Sequence, residues 1–173
     1  MKHQLLQSVL PLFNQYTEDA SSGPVISPLD SSTLHLIRKW KNKHRSRFFT
    51  QEIITTDMQL LWWSAYSEDP FTLVTLISDG STIIGTIGIR LLTIANYPVV
   101  DIFNVIRGCT TPTSKGFMSI SLRQICCSIT KLTPLPVVIS VLNDNPAKLW
   151  YLRNGFIPVL PYHPFTLLRY VSL

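Results

Sequence analysis

The stretch from Val137 to Phe156 constrains the fold of this chain most, because its residue pattern changes period in the middle. Val137 to Leu142 is a β-branched, almost wholly apolar run, the pattern of a strand covered on both faces. A helical pattern follows, opened by Asn145-Pro146 and closed by Asn154-Gly155. The polar corner Asn143-Asp144-Asn145 can cap the unpaired N–H groups of a first helical turn, and Pro146 suits the first helical position. Asn154-Gly155 can take the left-handed conformation that ends a helix. The segment therefore reads as strand, polar corner, short helix and glycine stop.

Composition narrows what surrounds this segment. With 173 residues, 46% hydrophobic and 14% charged, the chain fits one domain with a sizeable core and is far from the composition of a disordered protein. Cys126 and Cys127 are adjacent inside a helical pattern, so the three cysteines cannot form a secreted disulfide framework, and the four histidines lack metal-ligand spacing. A reducing, metal-free, cytoplasmic protein is expected. Met1 to Phe13 reads as a helix and not a signal peptide, since Gln4, Gln7, Ser8 and Pro11 interrupt its apolar run. Residues 1–22 are expected to form a helical extension ahead of a domain spanning 23–173. Thr82 to Val100 is apolar enough to suggest a membrane span, but Gly85, Gly88, Arg90, Asn96 and Pro98 favour two buried strands, and no membrane partner is expected.

The formal net charge is +5, and much of it sits in Arg38, Lys39, Lys41, Lys43, Arg45 and Arg47. A solvated helix face is the first reading of such a run. An electrostatic funnel for phosphorylated ligands and a nucleic-acid contact are the sharper alternatives.

Along the chain, Pro24 to Ser27 is a short strand, and Asp30, Ser31 or Ser32 can cap a helix with the apolar stripe Leu34, Ile37 and Trp40. Thr55-Thr56-Asp57 caps a second helix carrying Met58, Leu61, Trp62 and Ala65, which Pro70 ends. Phe71 to Ile77 and Ile83 to Leu92 form a hairpin around Ser78-Asp79-Gly80-Ser81, and Asn96-Tyr97-Pro98 turns the chain into a third strand, Val99 to Ile106. After the loop Arg107 to Ser114, Lys115-Gly116 opens a helix with Met118, Leu122, Ile125 and Ile129 on one face. Ile157 to Leu160 and Phe165 to Val171 are the last two strands. The predicted order is β-α-α-β-β-β-α-β-α-β-β, an α+β fold with one mixed sheet.

An Asn at the corner, then Ala147, Tyr151 and Gly155-Phe156, together with this element order, closely resembles the GNAT superfamily of N-acetyltransferases. Leu36 to Asn42, Phe48-Phe49, Ile54-Thr55 and Trp62-Trp63 are similar to the branch that includes ribosomal-protein and amino-sugar N-acetyltransferases. The resemblance implies a three-layer fold, with a central mixed and mostly antiparallel sheet flanked by helices. It implies acetyl-CoA as cosubstrate, held between the middle strands, with no metal. Asn143 and Asn145 flank the position of the family's cofactor-contacting Asn, which here is Asp144.

By the same resemblance, Tyr151 lies beside the thioester sulfur as proton donor, and a backbone N–H from Asn104, Val105 or Ile106 polarises the thioester oxygen. A loop that ends at a helix N-terminus offers free N–H groups and the positive end of the helix dipole to a diphosphate. Arg107 and Ser114-Lys115-Gly116-Phe117-Met118 are the candidate residues of that loop, with a single glycine where the family usually has two small residues. Asp101 is the candidate general base, although pairing with Arg123 or Arg107 would make it a structural anion; Asp144, Glu68, His163 and water are further options. The implied activity is acetylation of a primary amine on a small molecule, with an amino sugar or nucleotide-linked amino sugar ahead of a protein amine, by a monomer or homodimer. The alternative is a GNAT-fold module that has lost catalysis and binds RNA or a ribosomal protein through its basic segment.

Overall fold

The computed structural model describes residues 23–171. The helix expected at Met1 to Phe13, and the extension over 1–22, lie outside the described residues. Seven strands and four α-helices follow the expected order: β1 Val25–Pro28, α1 Leu34–Lys43, α2 Thr56–Glu68, β2 Thr72–Ser78, β3 Ile83–Ile94, β4 Tyr97–Arg107, α3 Phe117–Leu132, β5 Val137–Leu142, α4 Ala147–Arg153, β6 Phe156–Tyr162 and β7 Phe165–Tyr170. The strands form one sheet in the order β1-β2-β3-β4-β5-β7-β6. Every neighbouring pair is antiparallel except β4 and β5, so the sheet is mixed and mostly antiparallel, in an α+β fold.

Helices cover both faces of the sheet. In β2, Leu73 and Ile77 point into the core shared with α3, whereas Val74 and Leu76 point into a second core with α1 and the rings of α2. A strand buried on both sides needs an unbroken apolar run, and Leu73 to Ile77 is buried at every position. On the larger core, Leu122, Ile125 and Ile129 of α3 pack with Ile87, Ile89, Val100 and Ile102, and Tyr151 of α4 joins the same cluster. The two α-helical layers therefore face opposite sides of the sheet, and any ligand passing through it would meet α3 and α4 on one side and α1 and α2 on the other.

Two local expectations change. The turn before β4 is made by Ala95 and Asn96, both at positive φ (47° and 69°), so Tyr97 and Pro98 belong to the strand and pair with Ile94 and Thr93. Helix α2 also buries a different face. Leu61 is 74% exposed and Met58 and Ala65 are also outside, whereas Gln59 is 6% exposed and donates its amide to the Leu34 carbonyl at 2.6 Å. The three rings Trp62, Trp63 and Tyr66 pack against the second core, and they carry more area to bury than the aliphatic stripe. The helix turns to suit them, and the buried Gln59 amide is satisfied by its hydrogen bond.

The feature that positions the site is the short pairing of β4 with β5. Only Val100 with Val137 and Asp101 with Val138 are in register. Beyond them the strands part: β4 continues to Arg107 along β3, while β5 continues to Leu142 along β7. In β4 a bulge places Asn104 and Val105 opposite Ile87 alone, with Asn104 at φ 47°. The Thr86 hydroxyl donates to the Asn104 carbonyl at 2.7 Å and fixes the bulge. Backbone groups at Asn104 and Val105 are thereby turned off the β3 ladder at the edge of the gap.

Candidate active site

The loop from β4 to α3 is held from several directions. Gly108 lies under the Trp40 indole, so closely that a Cβ there would overlap the ring. At the far end of the loop, Thr111 and Ser114 form a reciprocal cap around a short turn, with the Thr111 N–H donating to Ser114 Oγ at 2.9 Å. Asp79, from the β2–β3 turn, accepts from Thr111 Oγ1 at 2.6 Å and Thr113 Oγ1 at 3.1 Å through Oδ2. Its Oδ1 accepts from the N–H groups of Ser81 and Thr82. Donors on both carboxylate oxygens hold Asp79 well below the usual carboxylate range, the Thr111 hydroxyl contributing most.

Past this anchored turn, Gly116 sits at φ 84° as N-cap of α3, and a Cβ built on it would meet nothing within 4 Å. No side chain caps the first-turn amides of α3. Phe117 and Met118 bury their side chains in the core, so only their backbone is available to a ligand. Ser114 is 2% exposed with its hydroxyl committed to Thr111, while Lys115 is exposed. The result is an open helix N-terminus whose first amides carry the positive end of the helix dipole, the kind of backbone arrangement that suits an anion.

Tyr151 of α4 is 5% exposed, with its ring edge-on to Phe156 and Trp150. Its hydroxyl has no hydrogen-bond partner among the described residues, yet it is not one of the fully enclosed unpartnered atoms, which are Ser121 Oγ, Gln124 Oε1 and Ser128 Oγ. The ring is thus clamped, and the hydroxyl is left unbonded at the margin of the core with a little accessible surface. Burial, with the Cys126 thiol beside it, pushes the hydroxyl well above its ordinary pKa, so it keeps its proton at any physiological pH.

The two corner asparagines both make bonds within the protein, and Asn143, which is exposed, uses only its oxygen. Asn143 Oδ1 accepts from Thr166 Oγ1 at 2.6 Å, and that oxygen in turn accepts from Lys148 Nζ at 2.8 Å. Asn145 Oδ1 accepts from the Ala147 N–H at 3.0 Å as the helix cap, and its Nδ2 donates to the Arg47 carbonyl at 3.2 Å.

Asp101 lies at the root of the gap, on the side of the sheet that carries α1 and α2. Its partner is neither Arg107 nor Arg123 but Arg90, which pairs with it across β3 and donates to Oδ2 from Nε and Nη2, both at 2.8 Å. Arg90 itself lies over the Phe103 ring, 4.8 Å from its centroid. Asp101 is 5% exposed, and burial raises its pKa against the opposing pull of Arg90. Oδ1 is left without a bond among the described residues. Arg123 instead donates to Asn154 Oδ1 at 3.1 Å. A small cleft of about 220 Å³ opens beside this pair, walled by Trp62, Tyr66, Phe103 and Asp69.

The basic segment crosses the far end of the gap. Asn42 brackets its base, donating to the Ile54 carbonyl at 2.9 Å and accepting the Ile54 N–H at 2.8 Å. Its tip reaches the β5–α4 corner, where Arg47 Nη1 donates to the Asp144 carbonyl at 3.4 Å, and Phe49 meets Phe165 edge-on at 5.6 Å. Lys41 is not a solvated charge. It lies 5.4 Å over the Phe48 ring, and burial lowers its pKa.

Asn104, Val105 and Ile106 lie on β4 past the point where it parts from β5, Gly116 and the first α3 amides follow the loop that leaves β4, and Tyr151 sits on α4, which follows β5. The side chains of Ser114 and Asn145 are engaged in structural bonds, as is Oδ1 of Asn143. Sequence reasoning missed Thr86, Asp79, Asn42 and Arg90. A lone Asn104 in an apolar strand was the one available sign of the bulge, because Asn tolerates positive φ. Nothing local marks its partner Thr86.

Among the described residues no group of three or more His, Cys, Asp or Glu side chains could hold a metal ion, and no helix is long and apolar enough to cross a membrane. No protein-family profile matches the chain, and no characterised protein matches it in sequence. Solved structures do. Spermidine N-acetyltransferase from Vibrio cholerae, in complex with CoA and spermine, superposes with a TM-score of 0.67 at 15% identity, over 86% of this chain and 94% of that one. FdhC, a nucleotide-linked sugar GNAT, gives 0.67 at 10% identity, over 86% of each chain. Ribosomal-protein-alanine N-acetyltransferase from Brucella melitensis gives 0.67 at 9% identity, over 86% of this chain and 99% of that one. The seven-stranded sheet with its four helices is thus the fold of the GNAT acetyltransferases.

Proposed function

We propose that this protein is an acetyl-CoA-dependent N-acetyltransferase acting on a primary amine of a small molecule, with an amino sugar or nucleotide-linked amino sugar as the favoured acceptor. One observation carries the reading: the gap between β4 and β5 has a free tyrosine hydroxyl on one side and an uncapped helix N-terminus beside it. Acetyl-CoA would supply a thioester whose carbonyl carbon accepts the amine. The open backbone at Gly116 and the amides of Phe117 and Met118 would hold its diphosphate, and a backbone N–H at the Asn104–Val105 bulge would polarise the thioester oxygen.

In the reaction the amine nitrogen forms a bond to the carbonyl carbon, the C–S bond breaks, and sulfur takes its electron pair. Tyr151 donates a hydrogen bond to that sulfur as charge develops. Its raised pKa favours sharing the proton over releasing it, until the thiolate, in the same apolar surroundings, is basic enough to take it. Asp101 Oδ1 is the proposed acceptor of the amine's proton, directly or through water. Burial raises its basicity, and the Arg90 pair fixes its position.

Release of free thiol from acetyl-CoA in the presence of amino sugars is the test. Amine-dependent thiol release should appear in the wild-type protein and should lose its acidic limb in Asp101→Asn. A folded wild-type protein that binds CoA but releases no thiol with any amine would leave the binding-module reading in its place.

A further inference from the structure

We infer that the acceptor carries a phosphate or diphosphate group, and that Lys43, Arg45 and Arg47 recognise it at the α1–α2 side of the gap. The inference rests on the gap being the point of acetyl transfer, and three observations carry it. First, the loop is a preformed element: Asn42 closes its base on Ile54, Asn145 holds the Arg47 carbonyl, and Phe49 packs on Phe165, so its cations are carried to the end of β5. A loop fixed at both ends loses little further freedom when a ligand binds.

Second, the charges are uncompensated. The ion pair among the described residues is Arg90 with Asp101, and Lys43, Arg45 and Arg47 are exposed and have none. Against the six cations from Arg38 to Arg47 stand Glu52 on the same loop and Asp144 on the facing corner, while Lys148 adds a further positive charge there. A polycationic amine would be repelled from this entrance and an anion drawn in. Third, the loop belongs to the α1 and α2 layer, whereas the backbone cradle at Gly116 opens α3. The two anion sites therefore lie at different parts of the gap and can be occupied together. Two arginine forks, planar and always charged, match phosphate oxygens better than a single amine or carboxylate contact would require.

Inorganic pyrophosphate and uridine diphosphate, titrated calorimetrically into protein already saturated with CoA, test this directly. Saturable binding is expected, weakening with added salt. Lys43→Gln with Arg45→Gln should weaken it at least tenfold and leave CoA affinity within twofold, because neither side chain makes a contact that the fold uses. Arg47 is left intact, since it holds the loop. Absence of binding to the CoA-saturated protein would overturn the proposal, as would a loss of CoA affinity in the double variant, which would assign these cations to the cofactor's own phosphates. A single-stranded RNA that binds the loop far more tightly than uridine diphosphate would assign the surface to nucleic acid instead. Failure to bind CoA at all is a separate result: it removes the transfer site itself, and this proposal with it.

Discussion

The two sides of the gap are built on opposite principles. Toward α3 and α4, the polar side chains of the loop and the corner are engaged within the protein: Asp79 with two threonines, Ser114 with Thr111, and Asn143 with Thr166, which Lys148 also holds. What stays open is a backbone cradle at Gly116 and one hydroxyl, on Tyr151. Toward α1 and α2, a loop is pinned by its backbone, by Asn42, by Arg47 on the Asp144 carbonyl and by Phe49 on Phe165, while Lys43 and Arg45 extend into solvent with no side-chain partner among the described residues. The difference teaches where specificity would reside. A side whose contacts are mostly backbone suits a ligand of fixed shape, and a side of free side chains on a fixed loop suits the partner that distinguishes one protein from another.

Substitutions on the two sides should therefore separate cleanly. The largest effect is expected from Tyr151→Phe, which keeps the ring and its packing and removes only the donor. Turnover should fall by roughly tenfold to a thousandfold, with the KM for acetyl-CoA nearly unchanged, because charge on sulfur develops only as the thioester breaks. Equal turnover in a variant of equal thermal stability would assign Tyr151 to the core alone. Gly116→Asp comes next. It puts a carboxylate into the cradle at a φ of 84°, and affinity for acetyl-CoA should drop about tenfold or more, with amine affinity spared. Normal cofactor binding in the folded variant would move the diphosphate elsewhere.

On the opposite side, Asn42→Ala removes both bonds at the base of the loop. A loss of about 1–2 kcal/mol in unfolding free energy is expected, and the amine KM should rise severalfold while CoA affinity holds. If CoA affinity falls instead, the two sides are coupled and the contrast between them is wrong. The smallest effect is a pH dependence at Asp79. Its pKa is depressed in the folded protein, so its stabilisation is present above the ordinary aspartate value and is lost as pH falls toward the folded value. The melting temperature of Asp79→Asn should therefore change less than that of the wild type below about pH 4. Parallel melting curves of the two proteins through acid would show that the clamp contributes nothing.

What was legible in the sequence follows from range. Strands β2, β3 and β5 announce themselves because burial on both faces demands an apolar run, and the α4 segment because its cap, Pro and Gly stop are all local. The face of α2 differs from the expected one: of Met58, Leu61, Trp62 and Ala65, which have helical spacing, Trp62 packs inward together with Trp63 and Tyr66 while the other three are exposed, and only the core's shape decides between the aliphatic and the aromatic side chains. The Arg90–Asp101 pair depends on strand register, eleven residues apart in the chain, which a turn misplaced by one or two residues would alter. Likewise, Asn143 and Asn145 stand where a ligand contact is plausible, and their engagement with Thr166 and Arg47 comes from segments more than twenty residues away. The place of Tyr151 on α4 was legible because it is set within one short helix whose start and stop are local.

The central claim is that the gap between β4 and β5 is a CoA site. Isothermal titration of CoA into the wild-type protein tests it most directly. One molecule should bind per chain, with acetyl-CoA competing for the same site. A folded protein that gives no binding heat with CoA at several temperatures, and no CoA-dependent shift in melting temperature, would contradict the account.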